Sequence, residues 1–123
     1  MSPKKLINSF KYAFRGVSRV WREEQNFRIQ SCVALFVVIL MVYLDLPGYE
    51  QAILMLAAVA VLVLELLNSA IERMVDMLKP RLHQYVEEIK DVTAAMVLVA
   101  SLGAAVIGVL IFWPYLVTFS VNS

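Results

Sequence analysis

The sequence has little glycine and almost no cysteine. Of its 123 residues, four are glycine and one is cysteine. A single cysteine, Cys32, excludes a disulfide bond within the chain. The glycines stand at positions 16, 48, 103 and 108, so the chain contains neither a G-x-x-x-x-G-K-[ST] nor a G-x-G-x-x-G phosphate-binding loop. Any nucleotide must therefore be bound by other groups.

Charged residues are absent from long parts of the chain. The sequence is 61% hydrophobic, its mean hydropathy is +0.75, and no charged residue follows Asp91. Such a composition is too apolar for a soluble domain of this size and predicts one integral membrane domain over residues 1–123.

The pattern of apolar and basic residues predicts an all-α fold with four helices. Near the N-terminus, apolar residues recur at helical spacing between lysines and arginines, which is typical of an amphipathic helix on a membrane surface. Three apolar runs, each near the ~20 residues needed to cross a bilayer, follow it. Pro80 should end the second and Pro114 should lie near the outer end of the third. The predicted ranges are 4–24 for the surface helix and 29–46, 50–78 and 92–113 for the membrane helices.

The distribution of basic residues predicts the orientation. Seven of the eleven lysines and arginines precede the first apolar run, and the other four lie between the second and third. By the positive-inside rule, the N-terminus faces the cytoplasm and the C-terminus faces outward. A bacterial cytoplasmic (inner) membrane is the expected location.

A stripe of polar side chains runs along the second membrane helix. Glu65, Asn68, Glu72 and Asp76 fall at roughly 0°, −60°, −20° and +20° around a helix, so they share one face. A carboxylate inside the membrane costs at least ~2.5 kcal/mol, which makes Glu65 a candidate functional residue. The apolar runs offer no lysine or arginine to neutralise it.

Several carboxylates with few nearby cations favour a divalent metal, Mg²⁺ in particular. A metal beside a base is suited to phosphoryl transfer. Other polar groups that can reach the same membrane boundary are Glu23, Glu24, Lys90 and Asp91. A loop histidine, His83, could touch a nucleotide or simply be solvated.

Three other interpretations stay open at this point. Glu65 could be paired structurally with a neighbouring helix, it could carry ions in an oligomeric channel, or the chain could be a non-catalytic anchoring protein. The last two do not explain the polar residues gathered at one membrane face.

Five further features of the sequence belong together, namely ELLNSAIERMVD (65–76), His83, KDVTAAMVL (90–98), YAFRG (12–16) and WREEQNFR (21–28). In this order and spacing they resemble the motifs of the family of small prokaryotic diacylglycerol kinases and undecaprenol kinases. The resemblance implies a homotrimeric membrane kinase that moves the γ-phosphate of MgATP onto a lipid hydroxyl.

Position by position, the resemblance also implies roles for individual residues. Glu65 corresponds to the catalytic base, Asn68 to its orienting partner at the lipid hydroxyl, and Glu24 with Glu72 to the metal ligands, which also border the nucleotide. The remaining matches to the nucleotide site are Asp76, Lys90 and Asp91, with Tyr12 and His83 as weaker candidates.

The resemblance is compatible with two acceptor lipids, undecaprenol and diacylglycerol. Asn26, the HQYVEEIKD spacing and the FWP ending resemble the undecaprenol kinase branch. Gln30, Glu87 and Ala95-Met96 depart from it. Undecaprenol is the favoured acceptor, with diacylglycerol as the alternative.

Overall fold

The computed structural model describes residues 2–122, and within them the regular secondary structure is α-helix, connected by short turns, with no strand. Three of its four helices are long and apolar enough to cross a membrane, which confirms the all-α membrane class. In chain order the helices are α1 (Pro3–Glu23), α2 (Gln25–Tyr43), α3 (Gly48–Asp76) and α4 (His83–Asn122).

A single non-helical residue, Glu24, separates α1 from α2. The side chain of Ser2 caps the first turn of α1 by accepting a hydrogen bond from the Lys5 backbone N–H at 3.2 Å. At the other end, Glu24 is extended, with φ −122° and ψ 117°. The predicted start of α2 at residue 29 is wrong, because the helix begins four residues earlier, at Gln25. Its polar first turn is helical, and Arg28 in that turn donates to the Trp21 carbonyl, at 2.8 Å, at the end of α1.

The connection between α2 and α3 is a tight turn. The first membrane helix ends at Tyr43 rather than at residue 46, because Asp45 takes a left-handed backbone conformation with φ 52°. Asp tolerates this conformation better than most residues do. Beside this turn lies the main apolar cluster, formed by Met41, Leu46, Leu54 and Phe112.

The last helix is much longer than the predicted 92–113. The polar residues from His83 onward are helical, and Val86 among them is fully buried. The helix also continues through Pro114, where the Thr118 hydroxyl donates to the Pro114 carbonyl at 2.8 Å. Proline is tolerated in membrane helices, although it leaves the carbonyl of the residue four positions earlier, here Leu110, without its helical donor. Because α3 already ends at Asp76, two residues before the predicted end, Pro80 lies in the turn that follows it.

The helices bury few side chains among themselves. The closest packing is between α3 and α4, and α2 packs against α3. Most large apolar side chains of the three apolar helices are exposed on the single chain, as expected for surfaces that face lipid or other subunits. Against this background, three buried polar residues stand out, and they are Glu65, Ser69 and Thr93.

Candidate active site

Glu65 is the most deeply buried carboxylate in the described part of the chain. Only 2% of its surface is exposed, on the face of α3 that packs inside the molecule. The negative charges of Glu24 and Glu72 both act on it. The polar stripe expected from the sequence therefore meets the α1–α2 junction, and three carboxylates converge on one region.

Asn68 lies beside Glu72 and presents an unused oxygen. Its side-chain nitrogen donates to Glu72 Oε1 at 3.4 Å, which fixes the orientation of the amide. The other end, Oδ1, is buried and accepts no hydrogen bond from any described residue. A buried oxygen without a partner is costly, so this atom has the position and chemistry to accept from a substrate hydroxyl or to bind a cation.

Glu24 is held by a residue that the sequence analysis did not single out. The Ser69 hydroxyl donates to Glu24 Oε1 at 2.6 Å, and only 1% of the Ser69 surface is exposed. In turn Arg73 donates from Nε to the Ser69 hydroxyl at 3.3 Å and pairs with Glu23 at 2.6 Å. The sequence does indicate that these two residues share the face of Glu65, because Ser69 and Arg73 follow Glu65 at intervals of four along the same helix.

Asp76 and Lys90 form an ion pair between the ends of α3 and α4. Lys90 Nζ lies 2.6 Å from Asp76 Oδ1. Asp76 is the last residue of α3, and Lys90 lies in the polar first turns of α4. The charge of Glu72 also acts on Lys90, so this cation lies at the edge of the carboxylate cluster.

The structure does not bring the other predicted nucleotide residues into this cluster. Tyr12 is 64% exposed on α1, and the Arg15 guanidinium lies 5.7 Å from its ring centre. His83 and Asp91 are exposed on α4. Between described residues, no hydrogen bond or ion pair joins any of these three to the Glu65 region.

An apolar cavity of about 480 Å³ lies between α2, α3 and α4. On α3 it begins at Val61, one turn before Glu65, and continues along Ala58 and Leu54. These residues lie within roughly 40° of the Glu65 direction around the helix, so the cavity extends along the same face. Its wall on α4 includes Ala104 and Gly108, two of the small residues that recur along that helix.

The family model for prokaryotic diacylglycerol kinase matches residues 11–112. The chain belongs to this family. It is 34% identical over 117 residues to a diacylglycerol kinase of Synechocystis, a match that covers 94% of this chain and 67% of the relative. It is 35% identical over 112 residues to the undecaprenol kinase of Bacillus subtilis, which covers 91% of each chain. The diacylglycerol kinase of Escherichia coli is 28% identical over 111 residues, with 90% and 91% covered.

Membership of the prokaryotic diacylglycerol kinase family confirms the predicted resemblance and makes the chain a membrane lipid kinase. It favours this activity over the ion-channel and anchoring hypotheses. The relatives carry both names, diacylglycerol kinase and undecaprenol kinase, so they do not distinguish the two acceptors.

The donor groups of the site fit a magnesium ion that is shared with a nucleotide. Among residues 2–122, no three His, Cys, Asp or Glu side chains converge closely enough to hold a metal by themselves. Mg²⁺ in kinases is usually bound by one or two carboxylates together with substrate phosphates. Glu24 and Glu72, with the unpaired Oδ1 of Asn68 nearby, are a donor set of this kind.

Proposed function

We propose that the chain transfers the γ-phosphate of ATP to the hydroxyl of a membrane lipid alcohol, with undecaprenol as the favoured acceptor and diacylglycerol as the alternative. The observation that carries this proposal is the burial of Glu65 one helical turn beyond the Val61 wall of an apolar cavity, beside two further carboxylates. At such a point a lipid hydroxyl and a phosphate donor can meet while the lipid tail stays in the membrane and the nucleotide stays in water.

In the proposed reaction, Glu65 accepts the proton of the lipid hydroxyl as that oxygen attacks the γ-phosphorus. The bond from the γ-phosphorus to the bridging oxygen breaks, and ADP leaves. General-base catalysis of this kind contributes ~10²- to 10⁴-fold to a rate. The unpaired Oδ1 of Asn68 would orient the hydroxyl, because it is a buried acceptor that needs a donor. The bond between Asn68 and Glu72 would keep this oxygen pointing away from the carboxylate.

Glu24 and Glu72 would hold Mg²⁺ together with the phosphates of ATP. The ion, when bound, neutralises the charge that develops on the transferred phosphoryl group. Lys90 would bind phosphate oxygens, with Asp76 keeping its side chain in place. Tyr12, His83 and Asp91 would contribute further nucleotide contacts, as the family resemblance implies.

The lipid tail would lie in the apolar cavity below Glu65. Both candidate acceptors are primary alcohols with apolar tails, so both suit its apolar walls. The preference for undecaprenol rests on sequence features of α2 and α4, including Asn26. Gln30, which departs from that branch, donates to the Ser101 hydroxyl at 3.0 Å at the cavity wall.

The proposed orientation places the N-terminus and the turn between α3 and α4 in the bacterial cytoplasm, with the C-terminus outside. The basic residues of α1 and of residues 73–90 support this orientation. Helix α1 would lie on the membrane surface as an amphipathic helix. The proposed assembly is a homotrimer, in which neighbouring subunits would cover part of the exposed apolar surface.

The test is a phosphotransfer assay with purified protein, ATP labelled at the γ-phosphate and Mg²⁺. Undecaprenol and diacylglycerol are supplied separately in mixed micelles, and label is counted in the organic phase. We expect label in both lipids and a higher kcat/KM for undecaprenol. A higher kcat/KM for diacylglycerol would reverse the acceptor assignment, and no organic-phase label with either lipid would refute the proposed substrate class.

A further inference from the structure

The junction between α1 and α2 is attached to α3 by two adjacent acidic side chains. Glu23, the last residue of α1, pairs with Arg73, and Glu24, the junction residue, accepts from Ser69. Both partners lie one turn apart on α3. The two contacts therefore fix the same point of the chain to the same stretch of helix.

The side chains of Arg73, Ser69 and Glu24 form a hydrogen-bond relay with a defined direction. Arg73 Nε donates to the Ser69 oxygen, and the single Ser69 proton goes to Glu24 Oε1. Because arginine has no acceptor, the relay cannot run in reverse. Its end is the Glu24 carboxylate, and hydrogen bonds to carboxylates are among the stronger ones. A carboxylate has two oxygens, so this bond is compatible with a cation bound at the other.

The relay restricts the side chain of Glu24, whose orientation the main chain does not fix. Glu24 is the one extended residue between two helices, and its neighbours fix only the path of the main chain. Arg28 contributes there, by donating to the carbonyls of Trp21 and Arg22. A glutamate has three rotatable side-chain bonds, and holding them in one arrangement costs entropy that binding must otherwise supply.

We propose that Ser69 and Arg73 are positioning residues that hold the Glu24 carboxylate in the arrangement needed to bind the metal ion. The inference rests on the proposed function, in which Glu24 is a metal ligand. A purely structural role fits the contacts less well, because the Arg73 and Glu23 side chains are 43% and 55% exposed. Exposed pairs add little to stability. Partners that orient metal ligands, in contrast, commonly alter metal affinity about 10- to 100-fold when removed.

The experiment measures metal binding directly, without turnover. Mn²⁺, a hard cation that takes oxygen ligands, is titrated into the protein with a non-hydrolysable ATP analogue, and free Mn²⁺ is read from its paramagnetic resonance signal. We expect Ser69→Ala to weaken Mn²⁺ binding about 10-fold. Arg73→Gln should weaken it about 2- to 5-fold, the range typical of an exposed pair. In parallel assays, the Mg²⁺ concentration for half-maximal rate should rise while kcat at saturating Mg²⁺ stays near that of the unaltered enzyme.

Two further variants make the result specific. Arg81→Gln removes a positive charge from the exposed turn after α3, where Arg81 has no ion pair with any described residue, and it should leave Mn²⁺ affinity unchanged. Glu23→Gln should weaken binding no more than Arg73→Gln does, because it leaves the bond from Arg73 to Ser69 in place. The double variant should be no worse than Arg73→Gln alone, because Glu23 contacts the relay only through Arg73. Losses that add in the double variant would overturn the proposed action of Arg73 through Ser69.

Failure of the positioning role is distinguishable from failure of the proposed metal site. If Glu24→Gln and Glu72→Gln leave Mn²⁺ affinity unchanged, the metal assignment is wrong and the positioning role is wrong with it. If those two variants weaken binding but Arg73→Gln and Ser69→Ala do not, only the positioning role is refuted. Should the buried Ser69→Ala variant fail to fold, the exposed Arg73→Gln variant decides the question alone.

Discussion

Replacing Glu65 with glutamine separates the catalytic role of this residue from any role in folding. Glutamine has nearly the same shape, so the packing around a side chain that is 2% exposed is retained. It cannot accept the hydroxyl proton. Loss of a general base predicts a fall in turnover of about 10²- to 10⁴-fold, or ~3–5 kcal/mol of transition-state stabilisation.

The same substitution should leave stability unchanged or raise it. The charges of Glu24 and Glu72 both act on Glu65, so a neutral group at this position removes like-charge repulsion. Activity is followed as transfer of labelled phosphate into lipid, and stability as the temperature of unfolding in detergent. Glu88→Gln, at an exposed position of α4, is the matched control and should change neither quantity. A Glu65→Gln enzyme that inserts normally and keeps more than about a tenth of its activity would refute the general-base role.

The sequence was sufficient to predict the helices because hydropathy and length decide which segments cross a membrane. It was a poor guide to where they end. Residues 83–91 are polar, and polarity between two apolar runs favours a loop when hydropathy is the only criterion. In the structure these residues extend α4 by about two and a half turns. The Lys90–Asp76 and Lys79–Glu87 pairs connect this extension to the end of α3 and to the turn that follows it. At the other end of α4 the predicted boundary is also wrong, because proline usually ends a helix whereas α4 continues through Pro114.

The carboxylate stripe was predictable because its members belong to one helix, where spacing determines which side chains share a face. The partners of Glu23 and Glu24 were not predictable in this way, because Arg73 is 50 residues from Glu23 and Ser69 is 45 residues from Glu24 in the sequence. Which residues of α3 meet the junction depends on how Val20 and Phe27, buried on either side of it, pack against the rest of the fold. Periodicity places Ser69 and Arg73 on the face of Glu65, but it does not indicate which residues of the junction they contact.

Three further predictions concern the nucleotide, the lipid tail and the assembly. Lys90→Gln should raise the KM for ATP about 10-fold without changing the KM for lipid, because hydrogen bonds to charged groups contribute ~1.5–3 kcal/mol; an unchanged KM for ATP would remove Lys90 from the nucleotide site. Gly108→Leu fills the apolar cavity at a position where an added Cβ meets no atom within 4 Å, so it should raise the KM for lipid and leave that for ATP unaltered; equal effects on both would indicate general damage to the fold. The last prediction follows from the position of Tyr12, which is about 18 Å along α1 from Glu24 at 1.5 Å per residue and makes no contact with the Glu65 region. If Tyr12 binds nucleotide, that nucleotide should therefore be in the site of a neighbouring subunit. Mixed oligomers of the inactive variants Tyr12→Leu and Glu65→Gln should then regain about a quarter of full activity, because in a symmetric ring half of the sites would receive an intact tyrosine and half of those an intact carboxylate. Absence of rescue, with subunit exchange verified by differently tagged chains, would show that Tyr12 serves only its own chain.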